Sequence, residues 1–246
     1  MNASSASIDP EEIARFDALA ARWWDPGGPM RALHRLNPAR LAYIRDHGCR
    51  HFDREPLAPR PLAGLRVLDI GCGAGLLSEP LRRLGADLVA VDAAIETIEA
   101  ARRHAAEVEL DIDYRATTAE ELAAAGERFD AVVAMEIFEH VADLDPFVDC
   151  LGRLLVPGGA LFAATLNRTL KAFGLAVVGA EWILGWLPRG THRWSKFVRP
   201  SEAARGLRRA GLELADVTGV AYDPCREGWK TTSDTAVNYL LFATKR

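Results

Sequence analysis

Two carboxylates and an imidazole follow an apolar run in MEIFEH at residues 135–140. Glu136, Glu139 and His140 are spaced i, i+3 and i+4, which predicts that they share one face of a helical turn. Side chains of these types can bind a divalent ion, remove a proton, or stabilise the start of a helix. The surrounding elements decide among these three roles.

A glycine-rich loop is the second candidate site. Residues 65–70 form a short apolar run containing Asp69, and GCGAG follows at residues 71–75, ahead of a helical pattern. Glycine permits positive φ and lets a ligand approach the backbone closely. Asp92 ends the next predicted strand, where an acid typically accepts hydrogen bonds from ribose hydroxyls. The combination predicts a nucleotide-type cofactor, and the alternative is a tight strand–helix turn with no ligand.

Alternating strands and helices must position both sites. Strands are predicted at residues 65–70, 88–91, 113–116, 129–135 and 160–166, with helices between them. Residues 212–220 and 236–244 are two further strands with no helix between them, and we expect them to pair as an antiparallel hairpin at one edge of the sheet. The pattern predicts an α/β fold: a Rossmann-like, mostly parallel sheet of seven strands with an antiparallel edge strand and helices on both faces.

An N-terminal helical extension precedes this sheet. DPEE at residues 9–12 is a helix start, with an apolar helical pattern after it that ends at residues 25–29. A second helix is predicted over residues 30–48, and the proline-rich residues 53–64 read as a linker. We therefore divide the chain into an extension at residues 1–60, which contributes to the cofactor or substrate site, and a main domain at residues 61–246.

Composition restricts the class of protein. The chain has 246 residues and is 49% hydrophobic, which suits one large domain with a small extension. The net charge of −4 and the pI near 5.9 argue against nucleic-acid binding. The four cysteines form no CxxC pair, and the N-terminus has no secretory or transit pattern. We expect a cytoplasmic protein with reduced thiols.

The spacing of the loop distinguishes between two cofactor classes. A nicotinamide dinucleotide prefers GxGxxG and places its pyrophosphate at a helix N-terminus, whereas this loop is GxGxG and follows Asp69. A carboxylate at that point repels a pyrophosphate and can hold a cation. The loop resembles the nucleotide-binding motif of class I S-adenosylmethionine-dependent methyltransferases. The resemblance covers residues 65–166 and includes LVPGG at residues 155–159.

Other stretches narrow the resemblance to one family. RWWD, HRLNPARL, TLNRT, MEIFEH and GTH, which begin at residues 22, 34, 165, 135 and 190, resemble the ubiquinone-biosynthesis O-methyltransferases. The resemblance implies methylation of catechol-type hydroxyls on polyprenylated rings at two steps, with 2-polyprenyl-6-hydroxyphenol and 3-demethylubiquinol as substrates. It also implies assembly with other enzymes of ubiquinone synthesis.

By matching position, the resemblance implies cofactor contacts at Arg40, Gly71, Asp92 and Met135. Asp92 would accept the ribose hydroxyls, and Gly71 and Gly73 would let the backbone reach the methionine portion of the cofactor. Met135 offers a soft surface beside adenine, and Arg40 can pair with the cofactor's carboxylate. From the sequence alone, Arg40 would be interpreted as a solvated helix charge.

Methyl transfer to a catechol needs a deprotonated oxygen, whose pKa is near that of tyrosine at about 10. His140 could remove the proton as a general base. Alternatively, a divalent ion such as Mg²⁺, held by Glu136, Glu139 and His140, could bind the catechol oxygens and acidify one. Metal-binding members of the family use the matching acids and histidine. The third interpretation is a purely structural helix start.

An apolar insert is predicted at about residues 169–190, and in its apolar stretch, residues 170–187, only Lys171 and Glu181 are charged. A spanning helix needs about 20 apolar residues, and this stretch is shorter and is interrupted by glycines. It forms either a core helix or a lid that meets a membrane and admits a prenylated substrate. Peripheral contact with anionic lipid at the inner face of the cell membrane is favoured by Trp182, Trp186, Arg189, Arg193, Lys196 and Arg199.

Two other functions remain open from the sequence. One is a nicotinamide-dependent oxidoreductase on a similar sheet, which the loop spacing and Asp69 oppose. The other is a non-catalytic lipid-binding relative that has kept the fold. Binding of the two cofactors distinguishes the first from a methyltransferase, and methyl transfer to a catechol excludes the second.

Overall fold

An eight-stranded sheet organises the chain in the computed structural model, which describes residues 10–175, 194–223 and 228–246. The strand order is β3-β2-β1-β4-β5-β8-β6-β7. The strands are β1 (Arg66–Ile70), β2 (Asp87–Asp92), β3 (Asp113–Ala116), β4 (Phe129–Met135), β5 (Leu155–Leu166), β6 (Leu212–Asp223), β7 (Gly228–Thr232) and β8 (Asn238–Lys245). The first five strands are parallel to one another, and β8 pairs antiparallel with both β5 and β6.

The predicted Rossmann-like α/β sheet is confirmed, but the predicted count of seven strands is wrong. The two C-terminal strands pair antiparallel as expected, yet they do not form the edge. The residues between them include a further strand, β7, which pairs antiparallel with residues 219–223 at the end of β6. This strand contains Trp229, Thr231 and Thr232, residue types that favour extended backbone. The edge strand is therefore β7.

Helices cover both faces of the sheet. They are α1 (Pro10–Asp17), α2 (Arg31–His51), α3 (Ser78–Arg83), α4 (Ile95–Glu107), α5 (Ala119–Ala124), α6 (Leu144–Leu154), α7 (Leu170–Ala172) and α8 (Pro200–Arg209). Side chains alternate between two hydrophobic clusters, so that Leu68 and Val132 lie on one face while Val67 and Val133 lie on the other. Burial on both faces explains why these strands are continuously apolar.

Several predicted boundaries shift. The first helix ends at Asp17 and is followed by a 3-10 turn at Ala20–Arg22, so its apolar pattern does not form one continuous helix. Strand β5 begins at Leu155 rather than at residue 160, because Leu155 already pairs with Phe129 of β4, ahead of a register shift between Phe129 and Ala131. Helix α5 begins with a capping box, in which the Thr118 side chain accepts from the Glu121 amide.

The apolar insert falls mostly outside the described residues, which stop at residue 175 and resume at 194. Trp182, Trp186, Arg189 and Arg193 are among the residues not described. Among the helices that are described, none combines the length and apolar character needed to cross a bilayer.

Candidate active site

The glycine loop and Asp92 are joined by hydrogen bonds at the carboxyl end of the sheet. Strand β1 lies between β2 and β4, so the segments that follow these three strands meet at one edge. The amide of Gly71 donates to the Val91 carbonyl at 2.8 Å. The Asp92 carboxylate accepts from the amides of Gly73 at 3.0 Å and Ala94 at 2.9 Å. A carboxylate has about four acceptor positions, so two bonds leave Asp92 able to accept more.

Two glycines of the loop are required by their conformation and by close neighbours. Gly71 has φ +70°, and a Cβ there would lie 2.5 Å from Ile137 Cδ1. Gly73 has φ +55°, and a Cβ there would lie 2.3 Å from Trp23 Cζ2. Ile137 belongs to the segment after β4, and Trp23 belongs to the N-terminal extension. The loop is therefore in close contact with both.

Asp69 places a buried carboxyl group beneath the loop. It accepts a hydrogen bond from Ser78 Oγ at 2.6 Å. Burial is the main cause that raises the pKa of Asp69 to about 6, and the nearby Asp92 charge adds to the shift. Burial also raises the pKa of Asp92. Two neighbouring acids favour a positively charged ligand at this edge.

Arg40 and Glu136 form an ion pair between α2 and the segment after β4, with Nη2 and Oε1 2.8 Å apart. The Arg40 side chain is 5% exposed. Its Nη1 also donates to Asn37 Oδ1 at 3.4 Å, and Asn37 Nδ2 donates to the Leu76 carbonyl at 3.0 Å. Arg40 is therefore not the solvated charge that sequence alone suggests. The pair contains one residue predicted for the cofactor and one predicted for catalysis.

The helical turn predicted for MEIFEH is wrong at its first acid. Glu136 has φ +52°, the left-handed region, and its amide donates to the Ala164 carbonyl at 2.9 Å. This bond extends the pairing of β4 with β5 by one residue. The chain then leaves the strand in a turn, and α6 begins only at Leu144. A left-handed non-glycine residue costs about 1–3 kcal/mol and is typical of functional sites.

Glu139 turns inward from the same segment. Its carboxylate is buried and accepts from Thr165 Oγ1 at 2.6 Å. Burial, and then the nearby charge of Glu136, raise its pKa well above the usual range. Within the described ranges, no three side chains of His, Cys, Asp or Glu are grouped so that they could hold a metal ion. The expected ligands Glu136, Glu139 and His140 thus do not surround one point.

His140 and Met135 differ in their surroundings. The His140 ring is partly exposed and meets the Phe16 ring of α1 edge-on, with centroids 5.4 Å apart. Met135 is buried within the hydrophobic cluster beneath α2. The His140 imidazole is therefore partly accessible to solvent, whereas the Met135 side chain is not.

The N-terminal extension supplies contacts that the sequence did not predict. Trp24 donates from Nε1 to the Ala74 carbonyl of the glycine loop at 3.0 Å, and its ring stacks on His104 of α4 at 3.4 Å. Asp17 accepts from the Thr97 amide at 3.2 Å. The unusual Trp-Trp pair of RWWD was the one available signal, but it does not reveal which surface the rings contact.

Comparison with known proteins gives concordant results. A family model described as a methyltransferase domain matches residues 40–217. The ubiquinone biosynthesis O-methyltransferase of Methylobacterium sp. (strain 4-46) is 57% identical over 239 residues, covering 97% of this chain and 96% of that protein. The protein of the same name from Methylocella silvestris is 55% identical, covering 99% of this chain and 97% of its own length.

Solved structures show the same fold. Magnesium protoporphyrin IX methyltransferase from Synechocystis PCC 6803, with bound S-adenosylmethionine, superposes with a TM-score of 0.63 at 18% identity, covering 100% of both chains. A possible histamine N-methyltransferase from Thermotoga maritima gives a TM-score of 0.63 at 19% identity, covering 96% of this chain and 99% of that one. At these identities the likeness concerns the fold alone.

Proposed function

The chain belongs to the family of ubiquinone biosynthesis O-methyltransferases, and on that premise we propose that it methylates a catechol-type hydroxyl of a polyprenylated ring in ubiquinone synthesis. The methyl donor is S-adenosylmethionine. The observation that carries the proposal is the meeting of the Asp69–Asp92 glycine loop with the Glu136–His140 segment, through the contact of Gly71 with Ile137. This contact supports a methyl-donor site and an acceptor site that lie side by side.

The loop fits this cofactor on three grounds. Asp92 retains acceptor positions for ribose hydroxyls, Asp69 supplies negative charge, and Arg40 offers guanidinium donors to a carboxylate. When bound, S-adenosylmethionine supplies an electrophilic methyl group on a positively charged sulfur. A nicotinamide dinucleotide is not favoured, because its pyrophosphate would face the same two acids.

Proton removal is assigned to His140, which lies partly exposed on the segment after β4. The imidazole takes the proton of the catechol hydroxyl as the oxygen becomes the nucleophile. Glu136, on the same segment, stabilises the imidazolium that forms. On the cofactor side of the site, Arg40 binds the cofactor carboxylate and Met135 provides an apolar surface.

Participation of a divalent ion such as Mg²⁺ is a separate proposal for Glu136, Glu139 and His140. Ligands must be deprotonated to bind a metal, and the raised pKa of Glu139 together with its bond to Thr165 opposes this. The described residues do not fit an ion as they stand, so no step is assigned to one. The assay below includes a chelator to test this point.

Methyl transfer from labelled S-adenosylmethionine to a short-chain 3-demethylubiquinol tests the function. We expect labelled product with the wild type, and a large fall in kcat for His140→Ala, about 10²–10⁴-fold for a lost general base. The dissociation constant of S-adenosylhomocysteine should change little. Asp145→Asn, at a surface ion pair with Arg209, is the matched control.

The outcomes separate the alternatives. Absence of product with S-adenosylmethionine bound would leave a non-catalytic lipid-binding relative. Equal kcat in wild type and His140→Ala would remove the histidine from the mechanism. A loss of rate with chelator, restored by Mg²⁺, would assign the acids to a metal.

We further propose peripheral contact with anionic lipid around the apolar insert. The described residues at the start of the insert and just after its end expose large apolar side chains: Leu170 is 82% exposed, Leu175 56%, Phe173 42% and Trp194 37%. Exposed apolar groups in one region suit an interfacial surface. Assembly with other enzymes of ubiquinone synthesis stays a prediction from the resemblance.

Co-sedimentation with liposomes containing anionic lipid tests this contact. We expect the wild type in the pellet and the double variant Leu170→Ser/Phe173→Ser in the supernatant. Leu57→Ser is the control, because Leu57 is 84% exposed but lies in the linker before the sheet. Equal recovery of all three proteins in the supernatant would contradict the proposal.

A further inference from the structure

Arg40 holds more hydrogen-bonding capacity than its neighbours use. Among the described residues, Nε and Nη2 of Arg40 make no hydrogen bond, although both atoms are buried. Nη2 lies 2.8 Å from Glu136 Oε1, so the charges are close but the donor is poorly aligned. The Nε–Nη2 edge of a guanidinium is one that binds a carboxylate bidentately. A buried edge of this kind indicates a missing anionic partner.

Two carboxylates are candidates to bind the Nε–Nη2 edge of Arg40. One is Glu136, which is already beside Nη2. The other is the carboxylate of the cofactor, if the function proposed above holds. Arg40 lies beside Glu136 and also acts electrostatically on Asp69 beneath the glycine loop. A single buried cation cannot compensate two carboxylates as well as it compensates one.

We propose that Arg40 is a shared positioning residue: the carboxylate of the bound cofactor takes its Nε–Nη2 edge and displaces Glu136, which then faces the substrate side of the site. The exchange replaces one carboxylate partner of Arg40 by another, so the buried guanidinium stays paired throughout. Release of the ion pair lets the Glu136 side chain turn. Cofactor binding thereby prepares the acid segment before the catechol arrives.

Binding measurements with two nucleosides test the exchange without turnover. S-adenosylhomocysteine carries the amino acid carboxylate, whereas methylthioadenosine lacks it. Glu136→Gln removes the carboxylate that competes with S-adenosylhomocysteine for Arg40. We therefore expect the Kd of S-adenosylhomocysteine, measured by calorimetry, to fall by about fivefold or more, as for a typical coupling between sites. The Kd of methylthioadenosine should not change.

Arg40 variants distinguish displacement from simple repulsion by the Glu136 charge. In Arg40→Gln there is no shared cation, so adding Glu136→Gln should leave the Kd of S-adenosylhomocysteine unchanged. Repulsion alone would still give tightening in that background. If Arg40→Gln does not fold, Arg40→Lys replaces it. Lysine keeps the positive charge but cannot bind a carboxylate bidentately, so adding Glu136→Gln should lower the Kd of S-adenosylhomocysteine by less than it does in the wild-type background.

These binding measurements distinguish failure of the exchange from failure of the proposed function. If the wild type binds neither nucleoside, the function fails. If it binds S-adenosylhomocysteine but Glu136→Gln leaves the Kd equal or weaker, the exchange alone is overturned. Asp145→Asn, which removes an acid charge at the surface near the start of α6, should bind both nucleosides as the wild type does.

Discussion

Replacing Asp69 by Asn should change the pH dependence of stability in a defined direction. Asp69 is buried, and its pKa is raised from 3.8 to about 6. The folded protein therefore binds a proton at Asp69 more tightly than the unfolded chain does between about pH 4 and pH 6. Asp69 makes the folded state more stable as the pH falls through this window, and that contribution is lost as the pH rises through 6.

The magnitude follows from the shift. A rise from 3.8 to about 6 is about two pKa units, and each unit corresponds to about 1.4 kcal/mol. The ionised carboxylate thus destabilises the folded protein by about 3 kcal/mol at neutral pH, and about half of this change falls between pH 5 and pH 8. Asn keeps an oxygen that can accept from Ser78 Oγ but carries no charge. We expect Asp69→Asn to be more stable than the wild type at pH 8.

Urea unfolding of both proteins at pH 5 and pH 8 measures this effect. The difference in free energy of unfolding between variant and wild type should grow by about 1 kcal/mol or more from pH 5 to pH 8. Other titrating groups are common to both proteins and largely cancel. S-adenosylmethionine at pH 8 should stabilise the wild type more than the variant, because the cation favours the ionised carboxylate. Parallel pH profiles with equal ligand effects would refute the assignment.

Three substitutions test local features. Gly73→Ala should lower Tm and abolish cofactor binding, because its Cβ would lie 2.3 Å from Trp23 Cζ2. Gly126→Ala is the control: Gly126 has φ +77° and no atom near its Cβ position, so the substitution should cost only about 1–2 kcal/mol of backbone strain. Equal losses in both would show that the close approach is unimportant. Thr118→Ala removes the capping box of α5 and should lower the free energy of unfolding, measured in urea, by about 1 kcal/mol. The kcat in the methylation assay should not change; a changed kcat would link α5 to the site.

Local patterns predicted the parts of the site that lie next to each other in the sequence. The glycines, Asp69 and Asp92 were identified because strand–loop–helix geometry depends on consecutive residues. The pairing of the last two strands followed from their apolar character and short connection. In contrast, β7 was missed because five residues with two threonines and a tryptophan give too little pattern to separate a strand from a loop.

Contacts between distant segments were not predictable in the same way. Arg40 pairs with Glu136, and Thr165 donates to Glu139, only because α2 and β5 pack beside the end of β4. The left-handed φ of Glu136 likewise results from sheet pairing with Ala164, which overrides the helical spacing of the acids. Sequence spacing selected residue types that can carry out chemistry but predicted an incorrect local conformation.

A crystal structure with S-adenosylhomocysteine and a catechol tests the central claim most directly. We predict that the ribose hydroxyls donate to Asp92, that the sulfur lies beside Gly71, and that a catechol oxygen lies within hydrogen-bond distance of His140. A nucleoside bound elsewhere, or a catechol remote from His140 while Asp92 is unengaged, would contradict the account.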